Sequence, residues 1–336
     1  MRIGLCLSGN FAMQDIVQSA RAAEASGWDS IWLGEDYFFR GGATMAAAVA
    51  MATSRVDIGL GIMTPLPRHP ALMAMEIAAL QELSGGRILP GVGAGVGTWM
   101  RQMGFDYRSP LTVMREGVEL TRRLLAGETV TEHGLFHLRG VKLHFPTVAA
   151  PVLLGAVGPK ALELAGEIAD GTVLSVLAGP GYVRWARQHI REGLRMAGRE
   201  NEAHLVVAYL LLTLADSRSE ARELIRPVVA EYLSAGVVNP LTWQAGLPDE
   251  LIGELHAEYL RGRVPVELIS DETIDRVAAA GPAEDCARWI AELADAGADV
   301  VALMPISSDG VADTVGRISS ELLPRLTSRD VTPAGR

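Results

Sequence analysis

Two adjacent carboxylates have the chemistry that first draws attention. Glu35 and Asp36 lie in GEDYFF (34–39), directly after the apolar run SIWLG (30–34). A carboxyl group among aromatic and apolar neighbours favours its protonated form, which suits a proton donor near neutral pH. The same pair also reads as a loop cap beside a surface acid. A second group is GLGIMTPLPRHP (59–70). Gly61 frees the backbone, and Pro65, Pro67 and Pro70 stiffen the loop after the strand. Arg68 and His69 precede a helix opened by Pro70, a place where an anion would meet free amides. A third is GVGAGVGTW (91–99), where Gly93 and Gly95 let a flat ring approach the backbone and Trp99 would wall it. This run is not a dinucleotide fingerprint, because Val96 stands where the third glycine belongs and Met114, Arg115 and Glu116 come later inside a helical stretch. The fourth is LLGAVGPKALELAGEIADG (153–171). Ala156, Val157 and Gly158 end an apolar run, Pro159 opens a helix, and Lys160 adds charge to free amides, as a phosphate site requires. Each of the last three groups also reads as a plain rigid connection.

These groups stand at the ends of short apolar runs. Strands are expected over 3–8, 30–34, 56–63, 87–94, 152–156, 172–178, 204–215 and 299–304, with helices between them. Pro90 is expected at a strand start or a bulge. Residues 129–145 read as a hairpin-like excursion, 235–280 as an inserted helical segment, and 327–336 as a frayed tail. Eight strands alternating with helices predict an α/β fold, a (β/α)8 TIM barrel with insertion segments forming one domain over 1–336. An open doubly wound sheet is the alternative. Both architectures bind ligands at the C-terminal ends of the strands.

Composition narrows the function. The chain has 336 residues, 49% hydrophobic and 21% charged, which excludes disorder and a disulfide scaffold. Lys and Arg number 30 against 40 Asp and Glu, a net charge of −10. An acidic chain without a basic block is unsuited to nucleic acid or an anionic membrane. An anionic ligand must therefore be met by local positive charge or by amides. The two cysteines, Cys6 and Cys286, offer no metal or disulfide spacing, and no metal is expected. No leader or membrane span is read, so a cytoplasmic location is expected.

WLGEDYFFRG (32–41), TSRVDIGLGIMTPLPRHP (53–70), LSGGRILPGVGAG (83–95) and GAVGPKALELAGEIADGTVLS (155–175) together resemble the bacterial luciferase-like superfamily. They most resemble its coenzyme F420-dependent branch, that of methylenetetrahydromethanopterin reductase. The resemblance spans about residues 1–215 and returns at GPAEDCARWIAEL (281–293). It implies a homodimeric barrel with coenzyme F420, or alternatively FMN, at the strand C-termini. It also implies a bulged third strand with a non-prolyl cis peptide at Gly61-Ile62, Met63 beside it, against which the ring rests. The cofactor phosphate would lie at Ala156-Val157-Gly158, and the acidic pair of the branch falls on Glu35 and Asp36. Deazaflavin-dependent sugar-phosphate dehydrogenases carry Asp-His in place of Glu35-Asp36 and a Glu in place of Val96. That departure argues against alcohol oxidation of their kind.

The expected activity is an F420H2-dependent reductase passing a hydride to an electrophilic C=N or C=C carbon of a small organic substrate. An FMN-dependent luciferase-like monooxygenase is the alternative, and a non-catalytic flavin-binding protein a second one. Adjacent residues diverge, so one carboxylate should face the ring, and Glu35 is favoured over Asp36. Arg68, His69, Lys160 and Arg184 form the basic set expected at the cofactor tail. Residues 235–280 are expected over the rim and to select the substrate, whose identity no motif declares.

Overall fold

The computed structural model describes residues 1–105, 108–145, 147–308 and 310–327. Strand and helix alternate through β1 (Arg2–Leu7), α1 (Met13–Ala25), β2 (Ser30–Leu33), α2 (Gly42–Ala52), β3 (Asp57–Met63), α3 (Pro70–Ser84) and β4 (Ile88–Val92). Helices α4 (Gly97–Gln102) and α5 (Pro110–Leu125) come after β4, then an antiparallel hairpin of β5 (Val130–His133) and β6 (His137–Val141). The alternation resumes with β7 (Leu153–Gly155), α6 (Pro159–Ile168), β8 (Gly171–Leu174), α7 (Pro180–Met196), β9 (Leu205–Leu214) and α8 (Arg218–Ala235). Next come α9 (Pro240–Gln244), α10 (Asp249–Leu260) and α11 (Asp271–Val277), then β10 (Ala279–Gly281), α12 (Ala283–Asp295), β11 (Val300–Pro305), α13 (Val311–Glu321) and α14 (Leu323–Thr327).

The parallel strands run β9-β11-β1-β2-β3-β4-β7-β8, and β8 pairs back onto β9. The result is the closed eight-stranded barrel read from the sequence, so the open-sheet alternative falls. Both faces of these strands are covered, which is why they read as unbroken apolar runs such as LVVAYLLLTL in β9. The hairpin forms where expected.

Several boundaries differ. The strand expected over 172–178 stops at Leu174, because Leu177 takes a positive φ of 70° and the chain turns there. Ser175 therefore stands in a loop. The segment 235–280 is helical through α11, but its end forms β10, which pairs with Leu212–Leu214 of β9. The six-residue helix α4 is an addition to the expected elements. Of the tail expected at 327–336, only Thr327 lies within the described residues.

Two local features position the rim. Between Leu60 and Met63, β3 advances three residues while β4 advances two, from Pro90 to Val92. This bulge carries a cis Gly61-Ile62 peptide, and Pro90 stands opposite its start. It turns Ile62 toward Gly91, Gly93 and Gly155, where added Cβ atoms would lie 3.1, 2.6 and 2.9 Å from the Ile62 side chain. Helices α6 and α7 meet backbone to backbone. A Cβ on Gly166 would come within 2.1 Å of the Ile190 carbonyl oxygen, and one on Gly193 within 1.9 Å of the Glu163 carbonyl oxygen.

Candidate active site

The loop after β2 sends its two carboxylates in opposite directions, as adjacent residues must in extended chain. Glu35 turns toward the helices and is buried, with its side chain 4% exposed. One oxygen, Oε1, accepts from Arg68 Nη1, and Arg68 Nε lies 3.0 Å from Glu76 Oε2. The other oxygen, Oε2, has no hydrogen-bond partner among the described residues and lies against Gly42, in the first turn of α2. The positive end of a helix favours an anion there. Burial pushes the Glu35 pKa up, against the opposing pull of Arg68.

Asp36 faces the barrel mouth. Its side chain is half-buried, folds back over Gly34, and has neither a hydrogen bond nor an ion pair among the described residues. Burial raises its pKa. Burial also raises the Cys6 thiol and the Tyr209 and Tyr232 phenols, and the charge of Asp36 raises all three further. These groups stay protonated beside the Asp36 carboxyl. The expectation that Glu35 faces the mouth is corrected here: Glu35 pairs with Arg68, and Asp36 faces the protonated groups.

The remaining rim residues fall into two sets. At the bulge, the Gly93 amide donates to the Met63 carbonyl at 2.9 Å, while Met63 itself is fully buried in the strand–helix layer. Gly95 has φ 74° and abuts Thr64. Trp99 on α4 is half-buried and meets Tyr37 edge-on at 6.2 Å. At the other set, the Ala156 amide donates to the Val173 carbonyl at 3.2 Å, and the Tyr182 hydroxyl donates to the Val157 carbonyl at 2.8 Å. Gly158 caps α6 without any side-chain bond, Pro159 is its first residue, and Lys160 is exposed in its first turn.

The expected basic set does not act as a unit. Arg68 is neutralised by two carboxylates. His69 caps α3, accepting at Nδ1 from the Ala71 amide at 3.2 Å, and burial lowers its pKa, consistent with an acceptor nitrogen. Arg184 is exposed on α7. The N-terminus of α7 is crowded by carbonyl oxygens, since Cβ atoms on Gly179 and Gly181 would stand 3.2 Å from the Arg276 oxygen and 3.0 Å from the Gln244 oxygen. A Cβ on Gly158 would meet nothing within 4 Å. Of these neighbouring helix starts, α6 is the open one. Among the described residues no group of three or more His, Cys, Asp or Glu could hold a metal.

Sequence reasoning missed Glu76, Tyr182 and Tyr209. Only Tyr209 carried a signal, as the single hydroxyl in the apolar stretch LVVAYLLL of β9.

A closed (β/α)8 barrel places its ligand site at the C-terminal ends of the strands, where the bulge of β3, the glycine-lined mouth and the open start of α6 lie. A model of the luciferase-like monooxygenase family matches residues 1–300, and the chain belongs to that family. It is 31% identical to a 5,10-methylenetetrahydromethanopterin reductase of Archaeoglobus fulgidus, over 97% of this chain and 100% of that one. It is 29% identical to an F420-dependent glucose-6-phosphate dehydrogenase of Nakamurella multipartita, over 80% and 83% of the two chains. The solved coenzyme F420 dependent tetrahydromethanopterin reductase of Methanopyrus kandleri superposes with a TM-score of 0.87 at 25% identity, covering 97% of this chain and 99% of that one.

Proposed function

We propose that the protein is an F420H2-dependent reductase acting on an electrophilic C=N or C=C carbon of a small organic substrate. The observation that carries this reading is the unpaired carboxyl of Asp36 above a ring of protonated groups, facing the mouth into which the bulge turns Ile62. The names of the three relatives, two of them F420-dependent and two of them reductases, agree with it. The residues fit a flat cofactor with an anionic tail: a backbone shelf at Gly61-Ile62, flanked by Gly93, Gly95 and Trp99, and an uncapped helix start at Gly158 with Lys160 beside it. When bound, the reduced deazaflavin supplies a hydride.

The chain's own groups do the rest. The bulge orients the ring, the α6 amides and Lys160 hold the tail, and the apolar mouth limits water. Asp36 holds a proton at its carboxyl and delivers it to the atom left electron-rich by hydride addition. Glu35 does not touch the reacting atoms in this scheme. Together with Arg68 and Glu76 it fixes the loop that presents Asp36. Fluorescence titration tests the cofactor assignment, with F420 and FMN added separately. Saturable F420 binding without FMN binding is expected; tight FMN binding with none of F420 would overturn the reading in favour of a monooxygenase.

The same proposal includes a homodimer. On the outer faces of α2 and α3, Met51, Leu72, Met75 and Leu83 are 71, 51, 44 and 44% exposed. Helices apolar on both faces are normally covered on both. A second copy presenting the same two helices would cover this face symmetrically.

A further inference from the structure

Tyr209 crosses the barrel. Its backbone belongs to β9, which stands diametrically opposite β3 in the eight-strand order. Its ring meets Trp32 edge-on at 5.9 Å, and its hydroxyl reaches Gly61. A Cβ added at Gly61 would stand 1.9 Å from the phenol oxygen, so the oxygen occupies the place a side chain at 61 would take. The residue is 7% exposed, and its hydroxyl is buried without a partner among the described residues. A buried hydroxyl with no bond costs stability, and a phenyl ring would fill the core without that cost. Phenylalanine, however, lacks the atom that comes nearest the bulge. Ile62, the next residue, is seated on the other side by the space over Gly93 and Gly155.

We infer that Tyr209 is a positioning residue, a strut from the opposite wall of the barrel that sets the height of the Gly61-Ile62 shelf beneath the cofactor ring. The inference rests on the cofactor reading above. It acts through the shelf, and Tyr209 touches no reacting atom. Its mark is reciprocity, since the oxygen at 209 and a methyl at 61 compete for one volume.

The test uses the full chain, with F420 affinity by fluorescence, the absorption spectrum of bound F420, and thermal melting. Tyr209→Phe is expected to weaken F420 binding about three- to tenfold and shift the bound spectrum, with melting unchanged or higher. Gly61→Ala is expected to weaken binding about a hundredfold or to lower melting sharply. The double variant Gly61→Ala/Tyr209→Phe is expected to regain most of the affinity lost in Gly61→Ala, because the pair couples in the manner of a double-mutant cycle. The residual approach of 2.9 Å between a Cβ at 61 and the ring Cζ is met by a small ring shift. Wild-type affinity and spectrum in Tyr209→Phe would overturn the inference. So would a double variant that regains melting but not affinity, which would assign Tyr209 to packing alone. A wild-type chain that binds no F420 would overturn the cofactor reading and this inference with it.

Discussion

Asp36 sits where the fold would prefer a neutral group. Its pKa in the folded chain stands above the ordinary 3.8, so the native state binds its proton more tightly than the unfolded chain does. The stability it contributes is therefore complete below the ordinary value and is lost as pH rises through the raised one. Asp36→Asn should raise the melting temperature at pH 7 by about 1–3 °C and leave it unchanged near pH 3.5, read by thermal melts at both pH values. The same substitution should slow turnover by about 10²–10⁴-fold while F420 affinity stays within a few-fold, for any acceptor that needs a proton. Glu35→Ala should instead cost stability: it leaves the part-buried Arg68 with Glu76 alone, and urea unfolding should register a loss of about 1.5–3 kcal/mol. The carboxyl pair itself was legible from its place after an apolar run. Which member faced the mouth was not, because Arg68 and Glu76 lie 33 and 41 positions after Glu35 and only the fold brings them to it.

Helices α6 and α7 lie side by side because glycines let their backbones touch. Gly193→Ala would drive a methyl into the Glu163 carbonyl and should destabilise the chain by about 1–3 kcal/mol or more, measured by urea unfolding. The displaced α6 should also lose grip on the cofactor tail. Lys160→Ala tests that grip directly: F420 affinity should fall about three- to tenfold, with the difference shrinking as salt is added. The barrel strands were readable because strands covered on both faces are apolar throughout. The elements that escaped were short ones, α4 and β10, whose six and three residues carry too little periodicity to declare themselves. The bulge also reset the alternation of β3, so no pattern could show that Ile62 turns inward while Met63 turns out.

At the scale of the whole molecule, the apolar face of α2 and α3 should decide the assembly. Light scattering on a sizing column should give a dimer for the wild-type chain and a monomer for Met75→Glu, with melting little changed if the face is free in the monomer. A wild-type monomer at micromolar concentration would overturn the dimer. In the proposed reading Lys160, one of only two lysines in a chain of net charge −10, is the positive charge that meets the cofactor tail. The long excursion after β9 leaves and returns at one point. The Ala215 amide donates to the Gly281 carbonyl at 3.2 Å, and Arg218 grips Asp285 through two bonds of 2.6 and 2.8 Å. Residues 216–280 leave and return at this neck and also pack on the mouth, where Ile225, Val229 and Leu255 share a buried cluster with Cys6, Trp32 and Tyr209; β9 keeps β8 and β11 as its barrel neighbours. A substitution confined to this segment would change the surface over the mouth without breaking any pairing of the eight barrel strands.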